Sequence, residues 1–275
     1  MRGFVRGAGL AVALGVLATA AVPSPRSQDD LRVRAFIEAY RELIDSVRYD
    51  GRDVVFSLGR GPIHFQGGRM LGADRLDRTE QCDPIFYPYS LEPLTRPLPP
   101  PVERPTPCTD LLESLWGKSE REIRGHGRSV SFLDHRMFVN ELLVDPLAAI
   151  ERDILAAAAR DTSIATWVAQ LDITYSFADR EIAGSETRSY HAWGLAIDLV
   201  PSSYDGGAVY WRWSRVFNRE DWHQIPIEGR WSPPQYVIET FEDHGFVWGG
   251  KWAHFDVIHF EYRPAVLLYN RMIAE

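Results

Sequence analysis

The spacing of apolar residues predicts three helices along the chain. Apolar side chains recur at helical intervals in residues 27–47, 144–161 and 232–246. Pro146 stands at the first position of the second helix, where its missing N–H is harmless, and Gly245 marks the end of the third. Helices are therefore expected in both halves of the chain.

Short runs of β-branched and aromatic residues predict strands between these helices. Residues 53–71 have the pattern of a hairpin, with two such runs separated by glycines and a proline. Residues 171–178, 195–200 and 257–262 each predict one strand. Because strands and helices are mixed without a βαβ rhythm, we predict an α+β fold in which helices flank an antiparallel sheet.

Two of the predicted strands carry polar side chains on one face. In LAIDLV, the alternation puts Asp198 on the face opposite the large aliphatic side chains. In VIHFEY, the same alternation places His259 and Glu261 together. His191 precedes the first of these strands, and Gly194 lets the chain turn between them. Two histidines and a carboxylate are a usual ligand set for catalytic zinc, which keeps its fourth position for water.

The first 22 residues have the pattern of an export signal. Arg2 and Arg6 form a positively charged start, residues 8–22 form an apolar run too short for a comfortable membrane span, and residues 18–20 offer a cleavage site of small residues. An uncleaved anchor is the alternative. We therefore expect an exported protein of the periplasm or cell envelope, which meets the membrane only through an uncleaved signal, if at all.

Export changes the interpretation of the two cysteines, Cys82 and Cys108. An even number of cysteines outside the cytoplasm favours a disulfide over two free thiols. The residues between them are rich in proline, which rules out a regular helix or a central strand. We expect a surface excursion closed by a disulfide.

Composition and charge narrow the possible partners. The chain of 275 residues has a formal net charge of −8 and no basic cluster, which argues against nucleic acid. Six of the nine tryptophans lie between residues 211 and 252. Such aromatic density suits either a core or a cleft that grips a sugar or a peptide.

Two motifs resemble those of a known peptidase family. SYHAWGLAID, residues 189–198, matches the S-x-H-x-x-G-x-A-x-D signature of LAS-type zinc peptidases. This group includes VanY-like D-alanyl-D-alanine carboxypeptidases, VanX-like dipeptidases and phage L-alanyl-D-glutamate endopeptidases. WGGKWAHFDVIHFEYRP, residues 248–264, resembles the C-terminal W-G-G-x-W…D-x-x-H-F-E pattern of the group. The resemblance covers roughly residues 128–270 and implies a DD-peptidase-like fold there.

The resemblance implies a ligand set and a base. One Zn²⁺ per chain would be bound by His191, Asp198 and His259, and Asp256 would be the general base that takes a proton from the attacking water. An isolated histidine at position 191 would more often be structural, but the five-position motif reverses that. In a regular strand Asp256 and His259 would face opposite sides, so the chain must turn between them.

Substrate contacts also follow from the resemblance. Ser189 matches a family serine near the substrate, and Arg180 resembles the family arginine that pairs with a substrate carboxylate or steadies a developing oxyanion; Arg188 is its competitor. Glu261 is either a partner that orients His259 or a plain strand residue. Lys251 stands where the endopeptidases of the group have an acidic residue.

These observations predict a signal peptide in residues 1–22, an accessory region in residues 23–127 and a zinc peptidase domain in residues 128–275. The expected function is zinc-dependent hydrolysis of amide bonds in peptidoglycan stem peptides, either as a D-alanyl carboxypeptidase or as an L-alanyl endopeptidase. The alternatives are a non-catalytic, zinc-containing protein that binds the cell wall and a zinc peptidase for extracellular peptides unrelated to the wall.

Overall fold

The computed structural model describes residues 28–50, 53–99, 108–182 and 187–275. The predicted signal peptide lies outside these ranges. The helices are α1 (Gln28–Ala39), α2 (Asp110–Trp116), α3 (Glu120–Gly125), α4 (Val144–Ala158), α5 (Thr162–Ala169), α6 (Trp211–Asn218), α7 (Gln235–Asp243) and α8 (Pro264–Ala274). The strands are β1 (Ile44–Asp50), β2 (Asp53–Leu58), β3 (Gly61–Gln66), β4 (Arg69–Gly72), β5 (Gly127–Phe132), β6 (His135–Asn140), β7 (Leu171–Tyr175), β8 (Ala196–Pro201), β9 (Phe246–Trp248) and β10 (His259–Tyr262).

The predicted α+β class is confirmed, with antiparallel sheets and flanking helices. A four-stranded sheet in the order β7-β8-β10-β9 carries the polar strands of the sequence motifs. Its apolar side chains share one large core with α4, α5 and α7, and residues such as Ile154, Ile197, Phe241 and Phe260 are fully buried there. The sheet therefore fixes the polar side chains against a rigid support.

A second four-stranded sheet, in the order β1-β2-β3-β4, lies in the region preceding the motifs. Its apolar face packs with α1 and with the C-terminal helix α8 in a smaller core that contains Phe36, Phe56 and Tyr269. The predicted hairpin of residues 53–71 is present as β2 and β3, and β4 follows it. The first and the last described helices are thus joined in one packed unit.

The first predicted helix is shorter than its apolar spacing indicates. It ends at Ala39, and Ile44 already belongs to β1. Val47 faces Phe56 across the antiparallel pair, so the backbone of this segment bonds to β2 rather than to itself. Pairing with a distant strand overrides a weak local preference.

The predicted disulfide between Cys82 and Cys108 is present, with Cα atoms 5.3 Å apart. The described part of the intervening segment contains no helix or strand beyond isolated bridges and turns, as its prolines require. Within the described ranges, no helix is both long enough and apolar enough to cross a bilayer.

Candidate metal centre

A short 3₁₀ turn positions His191. The turn spans Tyr190–Trp193, and the Ser189 hydroxyl accepts a hydrogen bond from the His191 N–H at 3.4 Å. Gly194 ends the turn at φ +65°, and a Cβ there would lie 2.8 Å from the backbone nitrogen of Asn140. Glycine is required at this point because the backbone is left-handed and a neighbouring chain approaches closely. The turn delivers a fully buried His191 to the start of β8.

Strand pairing brings together the other two candidate ligands, Asp198 and His259. Asp198 on β8 lies directly opposite His259 on β10, and their Oδ1 and Nδ1 atoms are 2.8 Å apart. His191 Nε2 lies 3.3 Å from the same carboxylate oxygen and 3.2 Å from His259 Nδ1. These three side chains form the group of potential metal ligands found among the described residues.

The outer nitrogen of each histidine has its own hydrogen-bond acceptor. His191 Nδ1–H donates to the carbonyl oxygen of Ser176 at 2.5 Å, and His259 Nε2–H donates to Glu261 Oε1 at 3.1 Å. Both inner nitrogens then present lone pairs to each other and to Asp198. Three acceptors that converge without a donor among them fit a cation, and acceptors behind the histidines are the usual supports of metal sites.

The charges around the cluster also favour a cation. Burial would lower the pKa of His259, but Asp198 and Glu261 raise it to about 10. Burial would likewise raise the pKa of Asp198, yet its close contacts with His191 and His259 hold it well below its usual range. The cluster therefore stabilises a positive charge at its centre, which either a proton or a metal ion supplies.

Glu261 belongs to the support of His259 rather than being a plain strand residue. Its Oε2 accepts a hydrogen bond from Arg263 Nε at 2.5 Å. Burial would raise the pKa of Glu261, but the charges of Arg263 and His259 hold it at about 2. An ionised Glu261 keeps its acceptor aimed at the His259 ring.

Asp256 lies beside this cluster, where the chain turns between Asp256 and His259 as the sequence required. The His259 N–H donates to the Asp256 carbonyl at 3.3 Å, and residues 257–258 form the turn. The Oδ1 atom of Asp256 is buried and has no hydrogen-bond partner among the described residues. Burial raises the pKa of Asp256 from 3.8 to about 6, while the charge of His259 opposes the rise. Such a carboxylate is suited to accept a proton near neutral pH.

The three residues that the sequence predicts as substrate contacts lie in different surroundings. Arg180 is exposed, and its charge acts to lower the pKa of Asp256, so it lies within electrostatic reach of that carboxylate. Arg188 instead bonds to Asp179 at 2.7 Å and to the Lys118 carbonyl, and it lies over the Trp193 ring. Ser189 is buried, and its hydroxyl caps the turn that carries His191.

Lys251 is committed to a buried ion pair. Its Nζ lies 2.7 Å from Glu242 Oε1, and both side chains are almost fully buried. The lysine that replaces an expected acidic residue therefore belongs to the protein interior.

Two aromatic residues, Tyr175 and Trp252, lie beside the cluster. Tyr175 lies opposite Asp198 in the β7–β8 register, its ring centroid is 5.6 Å from that of His191, and it is 40% exposed. The Trp252 ring lies 5.5 Å from the His259 ring. The strand predicted over residues 171–178 contains Tyr175, but its neighbour across the sheet depends on register.

A comparison with protein-family models found a match to the part of the chain that contains this cluster. Residues 183–262 match the model of a peptidase family described as D-alanyl-D-alanine carboxypeptidase. This segment is similar to D-alanyl-D-alanine carboxypeptidases. The carboxypeptidase-like segment covers less than a third of the chain, and it contains all three candidate ligands and Asp256. Searches of curated proteins and of solved structures returned no match.

Proposed function

We propose that the protein is an exported, zinc-dependent peptidase that hydrolyses amide bonds in peptidoglycan stem peptides. The observation that carries the proposal is the meeting of three acceptor atoms from His191, Asp198 and His259, with the buried, unpartnered Oδ1 of Asp256 beside them. The family match to D-alanyl-D-alanine carboxypeptidases supports the choice of substrate. The disulfide and the predicted signal peptide support export.

The donor set fits zinc. Two imidazole nitrogens and one carboxylate oxygen are the ligands of many catalytic zinc sites, which leave one position open. A zinc ion held by these residues would supply a Lewis acid that acidifies a water molecule and polarises the scissile carbonyl. Ser176 and Glu261 would fix the two histidine rings in the tautomers that this binding needs.

Asp256 would handle the proton. Its buried Oδ1 can accept a proton from the attacking water and then donate it to the leaving amine. The pKa of about 6 leaves the carboxylate ionised at neutral pH and still basic enough for this transfer. A protonated carboxyl at the same place would be unable to start the reaction.

Arg180 would meet the charged end of the substrate. Its exposed guanidinium lies within electrostatic reach of Asp256, where a carboxylate of a stem peptide would approach. Tyr175 beside His191 and Trp252 beside His259 give the cluster an aromatic border. Aspartate at position 256, where many carboxypeptidases of the LAS group have glutamate, favours the endopeptidase branch.

The test is mass spectrometry of muropeptides incubated with residues 23–275 and zinc. Release of free D-alanine would identify a carboxypeptidase, and separation of the stem at L-alanine would identify an endopeptidase. Asp256→Asn should retain zinc and lose turnover, whereas His259→Ala should lose both. If the wild type binds zinc and yields no new product, the wall-peptidase proposal is wrong and a binding protein or another peptide substrate takes its place.

A further inference from the structure

The segment closed by the disulfide runs along the side of the peptidase sheet that supports the metal centre. We call residues 83–99, the described part of the stretch between Cys82 and Cys108, the stapled segment. Its Tyr89 and neighbouring side chains pack with Val247 of β9 and with Val266 and Leu267 of α8 in a small apolar cluster. A region whose role the sequence does not declare is thus in contact with β9, the strand that pairs with the His259-bearing strand β10.

Backbone and side-chain hydrogen bonds anchor the stapled segment. Asn270 on α8 accepts from the Tyr89 N–H at 3.0 Å and donates to the Tyr87 carbonyl at 3.0 Å. The Tyr89 hydroxyl donates to Glu242 at 2.5 Å and accepts from the Trp248 N–H at 2.8 Å. The two bonds of Asn270 hold the backbone of Tyr87 in one place, whereas those of the Tyr89 hydroxyl tie the Tyr89 side chain to α7 and β9.

From that place Tyr87 reaches the support of His259. The Arg263 guanidinium lies 5.8 Å from the Tyr87 ring centroid and 3.9 Å from that of Tyr190. Arg263 in turn bonds to Glu261, which accepts from the His259 ring. The Tyr87 hydroxyl also lies next to the Trp252 indole, whose ring is 5.5 Å from His259.

We propose that Tyr87 is a positioning residue of the metal centre, which acts through Arg263 and Glu261 to hold His259 in the orientation that binds the ion. The inference rests on the proposed function only in assuming that a metal binds at this cluster. Through Tyr87, the stapled segment would then help to orient a ligand of the metal centre. The contact that carries this role is between the aromatic ring of Tyr87 and the guanidinium of Arg263.

The physical argument concerns the freedom of Arg263. An arginine side chain has several rotatable bonds, and a single ion pair does not fix the plane of its guanidinium. Two aromatic rings at Arg263 restrict that plane and leave its Nε directed at Glu261. Residues that orient a ligand from behind typically change metal affinity by about 10- to 100-fold when they are replaced.

The experiment compares metal binding in full-chain variants. Tyr87→Leu keeps an apolar side chain but removes the aromatic ring, whereas Tyr87→Phe keeps the ring. Tyr89→Phe is the control, because it removes a buried hydroxyl of the same segment that does not touch Arg263. Zn²⁺ affinity is measured by competition with a chromophoric chelator, the visible absorption of bound Co²⁺ reports ligand geometry, and thermal unfolding reports stability.

We expect Tyr87→Leu to weaken Zn²⁺ binding by roughly 10-fold or more and to alter the Co²⁺ spectrum. Tyr87→Phe should bind like the wild type. Tyr89→Phe should lower the unfolding temperature without changing either metal readout. If Tyr87→Leu does not fold, Arg263→Lys replaces it, because lysine keeps the charge and loses the planar group, and the same weakening is expected.

Three outcomes separate the inference from the proposed function. Equal Zn²⁺ affinity and an unchanged Co²⁺ spectrum in Tyr87→Leu would overturn the role of Tyr87 and leave the peptidase proposal standing. Parallel weakening by Tyr89→Phe would reduce the effect to stability and would also overturn it. A wild type that binds metal but cleaves no muropeptide would overturn the peptidase proposal alone.

Discussion

At the scale of single residues, Asp256 couples function to a cost in stability. Its Oδ1 is buried without a hydrogen-bond partner in the described part of the chain, and Asp198 and Glu261 add negative charge nearby. A buried carboxylate in such surroundings resists ionisation. The same isolation that would make Asp256 a good base therefore weakens the metal-free folded state once Asp256 ionises.

We predict that Asp256→Asn stabilises the metal-free protein at neutral pH. The pKa of Asp256 is raised from 3.8 to about 6, so the folded state holds this proton more tightly than the unfolded state does. Well below pH 4 the carboxyl is protonated in both states, and the substitution has no effect there. As the pH rises through 6 the cost develops fully and reaches up to about 3 kcal/mol, which the amide removes.

Urea unfolding in the presence of a chelator measures this gain at pH 5 and pH 7.5. The free energy of unfolding of Asp256→Asn should exceed that of the wild type by more at pH 7.5 than at pH 5. Asp172→Asn, which changes an exposed aspartate on β7, is the control and should show no such difference. A gain that is equal at the two pH values would contradict the assignment of a raised pKa to Asp256.

The two arginines near the site have opposite roles in the structure. Arg188 is tied to Asp179, to a backbone carbonyl and to the Trp193 ring, so its charge is already used within the protein. Arg180 is exposed, and its charge reaches Asp256. Only the second arrangement leaves a guanidinium for a substrate carboxylate.

We therefore expect Arg180→Ala and Arg188→Ala to separate binding from stability. Arg180→Ala should lower kcat/KM on a muropeptide by about 10- to 100-fold, the effect of one lost charge-assisted hydrogen bond, with an unchanged unfolding temperature. Arg188→Ala should mainly lower the free energy of unfolding, by about 1–2 kcal/mol. The reverse pattern in steady-state kinetics and thermal unfolding would assign the substrate contact to Arg188.

At the scale of secondary-structure elements, the local sequence pattern predicts which side chains share a face of a strand. The pairing of distant strands decides which of these side chains come into contact. The alternation in LAIDLV and VIHFEY correctly placed Asp198 away from the aliphatic face and put His259 beside Glu261. The turn at Gly194 and the turn after Asp256 were also predictable, because glycine permits the first and strand geometry demands the second.

Other parts of the site could not be predicted from one sequence. The Ser176 carbonyl that supports His191 is a backbone atom, which leaves no mark in residue types. Tyr175 meets His191 only through the β7–β8 register, and the shift from helix to strand after Ala39 depends on β2. Tyr87 reaches Arg263 from far along the chain, and no local pattern encodes such a contact.

At the scale of the whole molecule, the predicted accessory region and the predicted peptidase domain share their cores. Leu112, Trp116 and Ile123, which precede residue 128, are buried in the larger core around the metal-bearing sheet. Conversely, Ala265 and Tyr269 of α8, which follow the last motif, are buried in the smaller core with α1 and the N-terminal sheet. Each core therefore contains side chains from both sides of the boundary.

We predict that residues 128–275 do not fold on their own. Without the preceding residues, the large core loses its three side chains from α2 and α3, and α8 exposes the apolar face that α1 covers. Burial of a large apolar side chain contributes about 1.5–3 kcal/mol, so losing several is comparable with the typical stability of a domain, about 5–15 kcal/mol, once the α8 contacts are included. Circular dichroism of the fragment should show no cooperative thermal transition, whereas residues 28–275 should unfold cooperatively.

Phe36→Ala in residues 28–275 tests the same coupling without truncation. Phe36 is fully buried in the smaller core, and its replacement should cost about 3–5 kcal/mol. Because α2 contributes buried side chains to both cores, the loss should appear as one lowered transition that includes the near-ultraviolet signal of the tryptophans in the larger core. Two separate transitions, or a fragment 128–275 that unfolds cooperatively and binds zinc, would show instead that the peptidase region is an independent domain.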